Sequence, residues 1–359
     1  MLIIVCFFPG VPEMLNSQNF LPTNDPYIQY YGRWDMSDST HYRYSWPGVY
    51  VVCEFTGTSV GVRLADGTNY FNVYIDGDLH SVFHGTMSGQ SDYILAKGLV
   101  PGKHTLRFSR RNITFEPPYS FFGILLDSGA TLLPPPPKPV RRIEFIGDSF
   151  TAAESDEATE PQLPWEARYP VTNIDKGFAA DIARHFHAQY TATCRSGSGM
   201  VCDWQGNKEE SIPKKFDRTL MEAADPKWDF GQWVPDVVVI CLGLNDFSGL
   251  KDKDGKVSEE KSSLFRATCH EFLGTVRSVY PHVKIVVVAA YPEWIRKNVS
   301  QVVEEEMAAD KTDIYYTTFD EFPGGYVANG HPTVETHQKM ADQIIRGMES
   351  CNLFEKGNQ

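Results

Sequence analysis

The sequence contains no C-x-x-C pair and no H-E-x-x-H, and its longest apolar runs fall well short of a bilayer span. Positive charge is scarce: 33 Lys and Arg stand against 46 Asp and Glu, a formal net charge of −13. That balance excludes a nucleic-acid partner, because phosphate binding needs a concentrated basic surface. The one basic cluster, "RFSRR" at 107–111, is too short to reverse it. The seven cysteines are spread out, and their odd number leaves at least one thiol free. Cys194 and Cys202 are close enough for a local disulfide, whereas Cys53, Cys241 and Cys269 read as buried thiols. "HFH" at 185–187 puts its two histidines on different helix faces, and "KDKDGK" at 251–256 lacks the terminal Glu of a calcium loop. Neither a metal nor another cofactor is expected. The opening "MLIIVCFFPG" lacks a basic n-region and meets Pro9 early, so it is no convincing signal peptide. It reads as the remnant of one or as a first strand.

What is present is globular: 42% hydrophobic and 22% charged residues, with 13% aromatics that suit either a core or a sugar-binding surface. The chain divides by its patterning. After an N-terminal segment, 1–26, residues 27–131 carry short runs rich in Val, Tyr and Phe, such as "VYVVCEF", "SVGVRL" and "YFNVYIDG". Broken by Gly and Asp and without helix patterns between them, they predict a β-sandwich. "LLPPPPKP" at 132–139 is a proline-rich linker. From 140 to 359 strands and helices alternate. "RIEFI", "PDVVVICLG" and "VKIVVVAAYP" are the β-branched runs of parallel strands buried on both faces. Helical spacing marks 178–189, a long helix through Leu264, Phe265, Phe272, Val276 and Val279, and a last helix through Met340, Ile344, Ile345 and Met348. Such a layered sheet puts its functional groups at the carboxyl ends of its strands.

Four blocks fall at that edge. Ser149 in "IEFIGDSFTAA" stands where a strand gives way to a helix, able to face a cleft with both hydroxyl and backbone N–H. "RSGSGM" at 195–200 offers Gly197 or Gly199, since "SGSG" can be registered two ways. "LGLNDFS" ends a core strand with Asn245, whose amide can donate to a developing oxyanion. "NGHPTVETH" supplies His331 before the last helix; His337 falls inside that helix pattern. Asp148 and Asp246 are expected as supporting groups, the first capping its turn and the second accepting structural hydrogen bonds. Trp204 and Trp294, with Trp165 and Trp233, lie in or near loops as candidates for stacking on a sugar ring. Two N-glycosylation sequons, at Asn112 and Asn298, matter if a eukaryote secretes the chain.

"GDS", a glycine block, "GLND" and a late "HP", in that order, resemble the signature blocks of the SGNH (GDSL-type) hydrolases. With "GRWD", "WPGVYVVCEFTGTSVGVRL" and "FFGILLDSGATLL" in front, the chain resembles carbohydrate esterase family 2 from about residue 27 to 350. The resemblance implies an all-β jelly roll followed by an α/β/α SGNH-hydrolase domain with a mainly parallel sheet. It implies Ser149 as nucleophile, His331 as general base, and an oxyanion hole from the Ser149 and Gly197 N–H groups and Asn245. It implies secretion, and acetylated polysaccharides or oligosaccharides, xylan and glucomannan among them, as substrates. Two positions depart. Ala328 stands where many SGNH hydrolases have an Asp, implying a Ser–His dyad steadied by a backbone carbonyl, or by Asp320 or Glu321 in the acid's stead. Ala153 stands where Gly is frequent. The alternatives are an SGNH lipase or thioesterase for longer acyl chains, and an inactive glycan-binding protein, which only Ala328 favours.

Overall fold

The structure is a computed structural model that describes residues 19–116 and 118–354. The opening apolar stretch "MLIIVCFFPG" lies outside the described residues. The described chain separates into two units, one ending at Lys138 but including Thr219–Pro226, the other formed by Pro139–Arg218 and the residues from Lys227 onward.

The first unit is an antiparallel sheet of nine strands among the described residues. These are β1 (Asn19–Pro22), β2 (Gln29–Tyr31), β3 (Tyr42–Tyr44), β4 (Tyr50–Ala65), β5 (Tyr70–Ile75), β6 (Asp78–His84), β7 (Ser91–Arg110), β8 (Tyr119–Leu126) and β9 (Leu132–Leu133). The main path runs β1-β8-β4-β7-β5-β6. β4 pairs along its length with β7, but its other edge changes neighbour: β2 and β9 along its first half, β8 along its second. Register shifts between Gly57 and Ser59 and between Val60 and Gly61 mark the change, as bulges do where a strand bends from one layer to another. Two boundaries differ from the expectation. β1 belongs to the sheet although it precedes residue 27, and Leu132–Leu133 pair with β4 although they open the proline-rich segment. Thr219–Pro226, expected within the second half, goes with the first unit, where Met221 N donates to Ser45 Oγ at 2.6 Å.

The basic cluster is not a surface patch. Arg110 and Arg111 are 0% and 2% exposed, and Arg110 donates to Asn69, Ser45 and Thr114. Arg107 lies over the rings of Tyr50 and Tyr74. Both sequon asparagines are buried as well. Asn112 accepts from Tyr70 N and donates to Asn69, and Asn298 accepts from Arg266 and donates to Trp294 O.

The second unit holds a parallel sheet flanked by helices. In chain order its elements are β10 (Arg141–Gly147), α1 (Phe178–His185), β11 (Ala188–Cys194), β12 (Val237–Cys241), α2 (Leu244–Gly249), α3 (Glu259–Val279), β13 (Lys284–Ala289), α4 (Glu293–Ala308), β14 (Ile314–Thr318), β15 (Tyr326–Val327), β16 (His331–Pro332) and α5 (Val334–Ser350). Sheet order is β11-β10-β12-β13-β14. Every residue of β12 is buried, so both faces are covered, as its run of Val and Ile requires. Phe265, Cys269, Phe272 and Val276 form the buried stripe of α3; Leu264, expected on that stripe, is 39% exposed. Among the described residues no helix is long and apolar enough to cross a membrane. Cys194 and Cys202 form no disulfide; both are buried free thiols.

The sheet order fixes where a ligand site belongs. The chain leaves β10 toward β11 on one side, then crosses to β12 on the other, and the crevice outside those carboxyl ends is the switch point of such sheets. The ends are level, since Gly147 is in register with both Cys194 and Cys241. Only glycine fits at 147: a Cβ there would lie 1.9 Å from Thr151 Oγ1 and 3.0 Å from Cys241 O. Gly147→Ala is therefore expected to lower the unfolding free energy by about 1–3 kcal/mol. Gly274→Ala, on α3 with nothing within 4 Å of the new methyl, should raise it by up to about 1 kcal/mol. Urea denaturation of the two variants checks the opposite signs.

Candidate active site

β10 delivers Asp148 and Ser149 at its carboxyl end. The chain then turns tightly: Ala152 N donates to Asp148 O, and Glu154 N to Ser149 O, both at 3.0 Å. Ala153, buried, takes φ 50° there, the left-handed conformation that explains why glycine is frequent at this position. Ser149 is 8% exposed, and its hydroxyl has no side-chain hydrogen bond among the described residues. Asp148 is engaged through both carboxylate oxygens. One oxygen accepts from Phe150 N at 3.0 Å and the other from Asn245 Nδ2 at 3.2 Å.

β11 leads into the glycine block. Gly197 has φ 80° and is partly exposed, with Trp204 Cδ1 lying 3.1 Å from where a Cβ would stand. Trp204 N donates to Gly197 O at 3.0 Å, and the indole is 57% exposed, so an open aromatic face stands beside Gly197. Gly199 is buried with its Cβ direction 2.3 Å from Asp246 Oδ2, which places it against the back of the loop. Of the two registers, Gly197 is the one beside open space.

α2 follows β12 and carries Asn245 and Asp246. Asp246, 0% exposed, accepts backbone N–H groups from Met200 (2.7 Å), Val201 (2.6 Å) and Cys202 (3.3 Å), holding the glycine block against the helix. Asn245 Nδ2 donates to Ser198 O at 2.9 Å as well as to Asp148. Both of its protons are thus engaged, the longer bond being the one to Asp148.

His331 comes from the short β15–β16 ladder ahead of α5. Its Nδ1 is 2.8 Å from the carbonyl oxygen of Ala328, the residue at the place of the missing Asp. That carbonyl is aimed by a turn in which Ala328 and Asn329 have φ 25° and 67°. The turn is sewn to the segment beyond Ser149. Ala328 N donates to Glu160 O, Asn329 N to Pro161 O, and Val334 N to Asp156 O. The Phe150 ring stands edge-on to His331 at 6.2 Å. Asp320 and Glu321 are exposed, and Asp320 bonds to Gln343 and Arg296 instead. His337 is 0% exposed against Phe178, and burial lowers its pKa to about 3.

Ser149, Gly197 and Asn245 thus follow the level ends of β10, β11 and β12, and His331 is tied through its turn to the segment beyond Ser149. Asp148 bonds to Asn245, Asp246 bonds to the glycine block, and Trp204 stands beside Gly197. Trp294 lies on α4, partly buried, with its ring against Phe247 and Phe265 and its N–H on Ser262 Oγ at 2.9 Å. Trp233 points its N–H at Gln189, near the amino end of β11 and away from the site, and Trp165 packs on Tyr169 and Arg168. Sequence reasoning missed Glu154 and Arg168. Glu154 is 2% exposed, with Oε1 at 2.6 Å from Arg168 Nη1 and 3.8 Å from His331 Nε2. A lone acid among the small residues of "SFTAAES" was the available signal.

The family profile described as "Carbohydrate esterase 2 N-terminal" matches residues 30–136, and that of "GDSL-like Lipase/Acylhydrolase" matches 143–344. The cellulase/esterase CelE of Acetivibrio thermocellus is 31% identical over 331 residues, 89% of this chain and 39% of that protein. An acetylxylan esterase / glucomannan deacetylase of Cellvibrio japonicus is 34% identical over 208 residues, 58% of this chain and 56% of that protein. The chain therefore spans about half or less of the length of these two curated relatives. The solved structure of a family two carbohydrate esterase from Clostridium thermocellum in complex with cellohexaose is similar at TM-score 0.82 and 27% identity, covering 91% of this chain and 100% of that one.

Burial raises the pKa of Asp148 to about 7 and that of Asp246 to about 6, against the bonds they accept. Both carboxyls are easier to protonate folded than unfolded. Their contribution to stability is complete below about pH 4 and is lost as pH rises through 6 to 7. Unfolding free energy should therefore be higher at pH 5 than at pH 8, by about 2–4 kcal/mol. Glu306, lowered to about 2 by its bonds to His270, Lys311 and Arg277, acts in the opposite sense only below that window. Urea melts at the two pH values test this, and Asp148→Asn should flatten the slope.

Proposed function

Because the chain belongs to the GDSL-like lipase/acylhydrolase family and carries the N-terminal domain of carbohydrate esterase 2, we propose that it is a serine esterase that removes O-acetyl groups from plant cell-wall polysaccharides. The observation that carries the reading is the 2.8 Å contact of His331 Nδ1 with Ala328 O. A carbonyl only accepts, so Nδ1 holds the proton and Nε2 is left with a lone pair. His331 is then a competent base without an acid behind it, which removes the argument for a dead site that Ala328 first suggested.

Ser149 Oγ attacks the acetyl carbonyl while His331 Nε2 takes its proton. The Ser149 and Gly197 N–H groups and Asn245 Nδ2 stabilise the oxyanion, each by roughly 3 kcal/mol. Asn245 does so by exchanging its longer bond, to Asp148, for one to the oxyanion. The imidazolium protonates the departing sugar hydroxyl, and water, deprotonated by the same ring, releases acetate from the acetyl-enzyme. Trp204 offers its exposed face to a sugar ring next to Gly197. Relatives named acetylxylan esterase / glucomannan deacetylase, and a structural relative solved with cellohexaose, support a β-linked glycan as the acetyl carrier. A polymer of that kind does not cross a membrane, so the reaction takes place outside the cell.

Acetate release from 4-nitrophenyl acetate and acetylated glucomannan tests the reading. Ser149→Ala should lower kcat by about 10⁴-fold or more while polymer binding persists. Asn245→Ala should cost about 10²- to 10³-fold in kcat. Trp204→Ala should raise KM for glucomannan by about tenfold and leave that for 4-nitrophenyl acetate unchanged. Wild-type protein that binds glucomannan but releases no acetate from either substrate would make the chain a glycan-binding protein instead.

A further inference from the structure

His331 has a neutral dipole at Nδ1, yet a full negative charge stands on its other side. Glu154 Oε1 lies 3.8 Å from Nε2, too far to hydrogen-bond and so leaving the lone pair to the serine proton, but near enough for its charge to act on the ring. The carboxylate is 2% exposed and held in place. Arg168 Nη1 donates to Oε1 at 2.6 Å, while Arg168 Nε is tied to Leu163 O at 3.1 Å and its guanidinium lies over Trp165 at 5.5 Å. The backbone on either side is bent to put Glu154 there. Ala153 and Ser155 have φ 50° and 58°, a conformation unfavourable for any residue but glycine, and Glu154 N is bonded to the carbonyl of Ser149 itself.

On this arrangement, and resting on the reading of His331 as general base, we infer that Glu154 is a positioning residue that supplies the missing acid's charge from the Nε2 side, with Arg168 as the cation that sets its strength. As the proton passes from Ser149 to His331, the imidazolium forms beside an anion already in place. The Ala328 carbonyl fixes the tautomer, and Glu154 stabilises the charge. In triad enzymes one carboxylate performs both tasks; here they are divided between the two ring nitrogens.

The other titratable groups around the ring are Asp148 at the end of β10, His337 on α5 and Tyr326 on β15. Glu154 adds to the rise of Asp148, whose pKa reaches about 7 mainly through burial. Burial holds His337 neutral down to about pH 3 and pushes Tyr326 up to about 12, so neither changes charge between pH 4 and 9. Asp148 does titrate in that range. Because Glu154 acts on Asp148 as well, the kcat/KM limb alone does not separate the two groups, and the imidazole resonances, which report His331 directly, decide the test.

The test uses the full chain with Glu154→Gln and Arg168→Met. Two readouts are followed against pH: the acid limb of kcat/KM for 4-nitrophenyl acetate, and the His331 imidazole resonances by NMR, assigned by their loss in His331→Gln. Removing the anion should move both midpoints to lower pH. Removing the cation should move them to higher pH. In Glu154→Gln, kcat should fall roughly tenfold with KM little changed, and Arg168→Lys should restore wild-type midpoints. A residue that merely holds the turn together would not give opposite displacements. Midpoints unmoved in Glu154→Gln, or displaced in the same direction in both variants, overturn the inference, and Glu154→Gln alone decides it if Arg168→Met does not fold. The two readings fail separately: absence of acetate release from wild type defeats the esterase, while the NMR titration still decides the role of Glu154.

Discussion

Three parallel strands that stop at the same level are the constraint on which the site depends. Gly147, Cys194 and Cys241 are in register, so the chain segments after them begin from one edge, at the crevice between β10 and β12. Each segment then brings a different kind of group: a hydroxyl after β10, a bare backbone after β11, an amide after β12. Gly147 allows the close packing of the first turn, because any side chain there would meet Thr151. The sheet supplies the precision, and short turns supply the chemistry. Rigid elements hold a constellation better than loops alone.

The turns are held by buried carboxylates, at an energetic cost. Asp246 takes three peptide N–H groups from the glycine block, and Asp148 takes one from its own turn and an amide proton from Asn245. Loops that approach a substrate have peptide donors without a ladder to join, and a carboxylate satisfies several at once. Desolvation works against the ionised form, which is why both acids resist losing their protons. The same device that orders the loops makes the fold responsive to pH near neutrality.

Much of this was legible from residues alone, and the parts that were not share a cause. β10, β12 and β13 announce themselves as β-branched runs, and α3 and α5 as helical stripes, because burial on a sheet or helix face imposes a period on the sequence. Ser149, Asn245 and His331 were singled out because their blocks stand in the order of a known family's signature. Contacts carried by backbone leave no such trace. A backbone carbonyl at His331 was expected from the resemblance; that it is the Ala328 carbonyl depends on a left-handed turn that Asn329 and Gly330 only hint at. Trp294 looked like a loop residue because α4 was not recognised; its helix begins just after Pro292, and its indole faces Phe247 and Phe265. The excursion of Thr219–Pro226 into the first unit is a tertiary event without local pattern.

The buried amides of Asn112 and Asn298 bear on how the protein is made. Each side chain is hydrogen-bonded through both its oxygen and its nitrogen, with no room for an attached sugar. In a secretory pathway that glycosylates nascent chains, the sequons are read before the fold exists to hide them. Modification and folding then compete for the same two nitrogens, and a chain that receives a glycan at either one cannot complete its core. Bacterial expression avoids that contest. A fungal or mammalian secretion host would divide its product between a native, unglycosylated fraction and a misfolded, glycosylated one.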